Sequence, residues 1–158
     1  MRVGDKCVFG RDNTVNCFLD IEFGEGTIIA DWVYICDFDH VTDDVRIPIK
    51  DQGIVKSPVH IGPDVWIGAK ASVLRGTRIG EGCVVAAHAV VRGEVPPFSV
   101  AGGIPARVIK NRREVYAAHE ERRLALADIA RKTALAAEST TIDTDGRSEA
   151  KAVTDQAG

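Results

Sequence analysis

His40 stands in the stretch CDFDHVTDD with four carboxylates around it, Asp37, Asp39, Asp43 and Asp44. A neutral imidazole with a pKa of about 6.5 can take a proton from a hydroxyl or an amine at neutral pH. A flanking carboxylate, Asp37 or Asp39, would orient the ring. A solvated surface histidine among solvated acids is the plainer reading of the same residues, so the pattern alone assigns no base. A second concentration of charge lies between Pro105 and Arg113, where Arg107, Lys110, Arg112 and Arg113 occur without an acid. Such a group suits a phosphate, with a solvated basic hinge as the alternative. Cys7, Cys17, Cys36 and Cys83 form no C-x-x-C pair, so buried reduced thiols are expected rather than a disulfide framework or a zinc site.

The formal net charge of −3 argues against bulk attraction to nucleic acid or to an anionic membrane. Any anionic ligand must therefore find a local basic patch. A hydrophobic fraction of 45% and a charged fraction of 27% over 158 residues fit one soluble globular domain with tails. No apolar run reaches the ~18 residues of a membrane span and no signal-peptide pattern opens the chain, so a cytoplasmic protein is expected.

The elements that must hold these residues are set by a repeat of period six. Ile61, Ile67, Val73, Ile79, Val85 and Val91 share one phase, and four residues behind each stands a small one: Val65, Ala71, Thr77, Cys83, Ala89 and Val95. With 19 Val and 14 Ile in the chain, six in one phase would arise by chance about once in ten thousand trials, which makes the period structural. It fits neither a helix nor a flat strand; it fits short strands joined by sharp bends. Gly62, Gly68 and Gly80 follow directly behind their aliphatic residues and are assigned to corners that need backbone freedom.

Val3, Phe9 and Val15 carry the same period in another phase, and Phe23, Ile29 and Ile35 a third, so a loop near Asn16 to Glu22 must absorb a two-residue slip. Because the repeat starts at residue 3, the first coil should expose strand edges that a partner or further chain covers. Residues 41–58 are polar and carry no repeat; they read as a loop pushed out of the solenoid with His40 at its root. After Val91 the repeat is expected to dissolve into Pro96-Pro97 and Gly102-Gly103.

The repeats, together with VWIG, PPFSVAGGIPARVI and the upstream His40, resemble the hexapeptide-repeat acyltransferases, most of all the maltose and galactoside O-acetyltransferase branch. The resemblance spans residues 3 to 113. It implies an all-β left-handed parallel β-helix over 1–108 with the loop 41–58 extruded. The hand is the family's, since crossover connections generally take the opposite one.

The same resemblance implies an acyl-CoA-dependent transferase, of the O-acetyltransferase type, with acetyl-CoA or another acyl-CoA as donor and no metal. His40 would be the general base. Asn16 and Asp20, in VNCFLD, look like the stretch that holds the acceptor, although that segment is shorter here and Asn16 equally suits a turn cap at the slip. Asp39 belongs with the acceptor side. Trp66 would lie near the acyl site at a subunit junction of a homotrimer with active sites between subunits. Ala69, Ala86 and Ala87 match the small positions of the coenzyme groove, and Arg107 and Lys110 match the phosphate-contacting tail. His88 replaces a small residue of the family and should face outward beside that groove; His60 reads as a surface residue.

Two other readings compete. A metal-dependent hydratase like the gamma carbonic anhydrases needs closely spaced histidine ligands, which His40, His60 and His88 do not offer. A non-catalytic assembly part is opposed by His40, Trp66 and the basic tail together. The acceptor stays open among free sugar, glycan, lipid-linked sugar and nucleotide sugar, as does the acyl length. Beyond the solenoid, Asn111 with Glu114 three residues on resembles a helix start within the segment 109–138; the helix should cover about 112–137. Residues 139–158 are small, polar and charged, and disorder is expected there.

Overall fold

The computed structural model describes residues 1–142, with side chains described as far as residue 136. The chain winds in coils of three short strands. The first coil is β1 (Arg2–Val3), β2 (Val8–Phe9) and β3 (Thr14–Asn16), and the second is β4 (Ile21–Phe23), β5 (Ile28–Ile29) and β6 (Tyr34–Cys36). The path then leaves the solenoid as a hairpin of β7 (Phe38–His40) and β8 (Ile54–Lys56), with a 3-10 turn at Ile49–Asp51 between them. It returns as β9 (Val59–Ile61), β10 (Trp66–Ile67) and β11 (Ser72–Val73), followed by β12 (Arg78–Ile79), β13 (Val84–Val85) and β14 (Val90–Val91). A last partial coil, β15 (Glu94–Val95) and β16 (Ser99–Gly103), ends where β17 (Ala106–Asn111) turns back antiparallel onto β16.

Equivalent strands of successive coils pair in parallel. Sheet A is β1-β4-β9-β12-β15, sheet B is β2-β5-β10-β13-β16 with β17 at its edge, and sheet C is β3-β6-β11-β14. This is the parallel β-helix that the six-residue period requires. Its core is three apolar ladders. Ile61 lies in register between Phe23 and Ile79, Ile67 between Ile29 and Val85, and Val73 between Ile35 and Val91. All nine are buried, as are the small residues Val65, Ala71, Thr77, Cys83, Ala89 and Val95. Each large aliphatic residue so buried contributes about 1.5–3 kcal/mol. Among the described residues β1, β2 and β3 are edge strands of the three sheets, and Val3 and Phe9 are exposed there. All four cysteines are free, with Cys36 and Cys83 buried.

The glycines behind the aliphatic residues act differently from the sequence expectation. Gly62, Gly68 and Gly80 do not take positive φ; the left-handed corner falls three residues after each aliphatic position, at Asp64, Lys70, Gly76, Gly82 and His88, with φ between 53° and 74°. What Gly68 supplies is room, because a Cβ there would stand 2.6 Å from the backbone nitrogen of Ala87 in the next coil. Gly68→Ala is therefore expected to lower the unfolding free energy by about 1–3 kcal/mol through overpacking against backbone. Urea denaturation checks this; an unchanged midpoint would contradict the close-approach account.

The repeat also continues past Val91. Val95 stacks on Ile79 and Ala101 on Val85, so PPFSVAGG belongs to the solenoid rather than to its end. The spacing hid this, because the step from Val91 to Val95 is four positions rather than six. All three departures from the period fall at one place, the corner between sheets C and A: the widened step from Val15 to Phe23, the hairpin between Ile35 and Ile61, and the shortened step to Val95.

The chain divides into two compact units, Met1–Val115 and the part from Tyr116 on. Helix α1 runs over Arg112–Ile142, past the expected end near 137, since no glycine or proline stands before Gly146 to stop it. Asn111 starts it as expected, its Oδ1 accepting the Arg113 N–H at 2.9 Å. Leu124, Leu126, Ile129 and Leu135 along the helix are exposed. Residues 139–142, for which disorder is expected, continue the helix, and the rest of that segment, from residue 143, lies outside the described residues.

Candidate active site

The corner between sheets C and A is built around Asp37. This residue leaves β6 fully buried, and its carboxylate accepts the backbone N–H groups of Phe18 (2.8 Å), Leu19 (2.7 Å) and Asp20 (2.8 Å). Burial pushes the carboxyl up, but these N–H groups outweigh that and hold it below the usual carboxylate range. Asp37 therefore closes the wide turn after β3 and is not the partner of His40. Asp39 is not that partner either: its Oδ2 accepts from Arg75 Nε at 2.8 Å and from Arg92 Nη2 at 2.6 Å. Burial again raises this carboxyl, and the two guanidinium groups lower it by more. Among the described residues neither acid is hydrogen-bonded to His40. The His40 ring is exposed in a cleft of about 370 Å³, which it lines with Asp39, Val41, Thr42, Asp43, Val55 and Arg75.

Asn16 and Asp20 lie at the same corner, one coil away. Asn16 Nδ2 donates to the Tyr34 hydroxyl at 3.4 Å, so it does not cap the turn; Asp37 has that task. Asp20 gives its N–H to Asp37, and its carboxylate accepts from Arg2 Nη2 at 2.8 Å.

The remaining expected residues lie on sheet B and at the corner between sheets B and C. Trp66 points outward, 51% exposed beside the fully buried Ile67, and is flanked in register by Ile28 and Val84. Ala69 and Ala86 are half-buried and Ala87 exposed, and the Ala69 carbonyl accepts the His88 N–H at 3.0 Å. His88 sits outward at a left-handed corner beside them, as expected. The row continues into β16, where a Cβ on Gly102 would meet that of Ala86 at 3.1 Å. Arg107 is the register partner of Gly102 and Lys110 that of Val100.

The basic run thus divides in two. Arg112 donates to the Gly82 carbonyl and lies 3.8 Å from Asp64, while Arg113 stacks over the Phe98 ring at 3.7 Å. Arg107 and Lys110 are exposed, and neither has a carboxylate partner among the described residues. Among the described residues Arg107 Nη1 donates only to the Ala106 carbonyl at 2.9 Å; small backbone-accessible positions beside two cations free of carboxylates suit an extended amide-bearing ligand that ends in phosphates.

The residues expected at the site therefore fall into two groups on opposite sides of sheet C. His40, Asp39, Asn16 and Asp20 occupy one edge; Trp66, the alanines, Arg107 and Lys110 belong to the other side. The histidines are spread as well. His60 is on sheet A, where its Nδ1 lies 3.2 Å from Glu22 Oε2, in a groove lined also by Arg78 and Glu94. His40, His60 and His88 do not converge, and no trio of possible metal ligands occurs among the described residues. No helix there is long and apolar enough to cross a membrane.

Sequence reasoning missed Arg75 and Arg92, which no repeat position marks and which lie 36 and 53 residues from Asp39. It also passed over Tyr34 and the exposed Trp32, which takes a left-handed corner with φ 63°.

Residues 58–93 match the bacterial transferase hexapeptide model of six repeats. The chain is 60% identical over 138 residues to a probable acetyltransferase of Mycobacterium tuberculosis, covering 85% of this chain and 46% of that protein. It thus spans about half the length of that curated relative. Among solved structures it is similar to a galactoside acetyltransferase in complex with coenzyme A, at TM-score 0.54 and 25% identity over 70% of this chain and 64% of that one. It is also similar to a maltose O-acetyltransferase from Clostridium difficile, at TM-score 0.50 and 28% identity over 70% and 65%. A six-residue period folded into a parallel β-helix, with these likenesses, puts the chain in the hexapeptide-repeat transferase family.

Proposed function

We propose that this protein is an acyl-CoA-dependent acyltransferase that moves an acetyl group from acetyl-CoA to a hydroxyl of a sugar or glycan, with His40 as general base. The observation that carries the reading is the cleft at the interrupted corner, into which His40 faces beside Asp39 and Arg75. The acceptor hydroxyl donates to the imidazole, which takes its proton as the oxygen attacks the thioester carbonyl. A C–O bond forms, the C–S bond breaks, and the proton passes on to the departing coenzyme thiolate. Asn16, Asp20, Asp39 and Trp66 hold the acceptor and the reacting acyl group; Ala69, Ala86 and Ala87 line the pantetheine path; Arg107 and Lys110 take the phosphates.

The separation of the two groups of residues in one chain supports a homotrimer in which the His40 edge of one copy meets the sheet B side of the next. The outward column Val8, Ile28 and Trp66 is apolar and exposed in the single chain, which favours cover by a neighbour.

Charge reversal at the phosphate end tests the donor assignment. Arg107→Glu is expected to weaken acetyl-CoA binding about tenfold or more, since a charge-assisted contact becomes a repulsive one. Titration calorimetry of the full chain measures it; wild-type affinity would remove Arg107 from the donor site.

A further inference from the structure

Strand β7 carries the proposed base, yet it belongs to none of the three sheets. It pairs only with β8, in a two-stranded sheet, and an isolated hairpin is marginal in water. At its root, the Asp37 carbonyl accepts the Ser57 N–H at 2.8 Å, and Phe38 packs on the Phe18 ring at 4.6 Å between centroids. Phe38 in turn meets the His40 ring edge-on, at 6.5 Å between centroids.

On the alternate face of β7, at Asp39, the attachment is ionic. Arg75 comes from the turn after β11 and Arg92 from the turn after β14, so two successive coils reach the same oxygen of Asp39. Arg75 Nε and Arg92 Nη2 stand at 2.8 and 2.6 Å; Arg75 is 27% exposed and Asp39 34%, while Arg92 is half-exposed at 49%. The Arg75 pair, partly shielded from water, is less screened than a single surface bridge, and Arg92 adds a second donor to the same oxygen. Both arginines use Oδ2, which leaves Oδ1 of Asp39 available to the cleft.

We infer that Arg75 and Arg92 are positioning residues for His40, acting through Asp39. They fasten the free-standing hairpin to the rigid solenoid at the residue adjoining the base, so the imidazole is held where a hydroxyl can reach it. The inference rests on the reading of His40 as general base. A displacement of about 1 Å at a reacting group can cost a hundredfold in rate, so loosening this contact should be read in kcat.

The test uses the full chain with Asp39→Asn, Arg75→Gln, the double substitution and His40→Ala, assayed by thiol release from acetyl-CoA with a panel of sugars and nucleotide sugars. Each single clamp variant is expected to lower kcat about tenfold at unchanged KM for acetyl-CoA and nearly unchanged Tm. The double variant should lose little more, because both changes open the same contact. Arg75→Lys should regain part of the loss. Hydrogen exchange should quicken for the amides of residues 38–41 and not for the core ladders. Wild-type kcat in both single variants, losses that multiply in the double variant, or activity that falls only in step with Tm would each overturn the inference. If those variants keep wild-type kcat while His40→Ala is inactive, positioning fails and the base stands. If His40→Ala keeps wild-type turnover, the base reading fails and the inference with it.

Discussion

Asp37→Ala is expected to lower the unfolding free energy of the solenoid by about 3 kcal/mol, the largest effect on stability of any polar substitution considered. The magnitude follows from what the residue holds. Its fully buried carboxylate accepts three consecutive backbone N–H groups, those of Phe18, Leu19 and Asp20. Hydrogen bonds to a charged group contribute about 1.5–3 kcal/mol each, and donors left unpaired add a desolvation cost, partly relieved here because water can enter the emptied corner. Asp37→Asn should recover little, since its amide turns donors toward donors. The sign of the pH dependence is set by the lowered carboxyl. A folded-state value below the unfolded one of about 3.9 gives stabilisation that is complete at neutral pH and is lost as pH falls through the folded value. The gap between wild type and Asp37→Ala in urea midpoint should thus be full at pH 7 and shrink only below about pH 4. Equal midpoints at pH 7 would show that the turn needs no buried acid.

The solenoid was legible in the sequence because its core positions repeat locally. Ile61 through Val91 announce three ladders without knowledge of any long-range contact, and Asn111 announces the start of α1 through its own local chemistry. The corner between sheets C and A was legible only as an interruption. His40 could be placed at the root of the extruded segment, but the partners of Asp37 and Asp39 could not, because nothing local links Asp39 to Arg75 or Arg92. Three spacings of different length bring those residues onto one corner, and only the stacking of the coils converts them into neighbours. The role of Gly68 was misread for a related reason: a close approach between coils leaves the same residue type in the sequence as a strained turn does. In the sequence Val95 reads as a small companion position rather than as a ladder residue, and Ala101 is missed as core, because a two-residue deletion moves both out of phase.

His40→Ala is expected to reduce acyl transfer by about 10²–10⁴-fold, the range that a positioned general base supplies. The imidazole is exposed in its cleft and bears on no core ladder, so the fold and the melting temperature should not change. Donor binding should also persist, because Arg107, Lys110 and the alanine row lie on the other side of sheet C. The loss should therefore appear in kcat with KM for acetyl-CoA close to wild type, the pattern of an interaction made in the transition state. Residual activity should rise with pH, as hydroxide and ionised acceptor replace the missing base. The most direct measurement is the steady-state rate of thiol release from acetyl-CoA, with the best sugar acceptor found for the wild-type chain, for wild type and His40→Ala side by side at neutral pH. A fall of at least a hundredfold in kcat with unchanged donor KM is the result predicted; wild-type turnover in His40→Ala would contradict the mechanism.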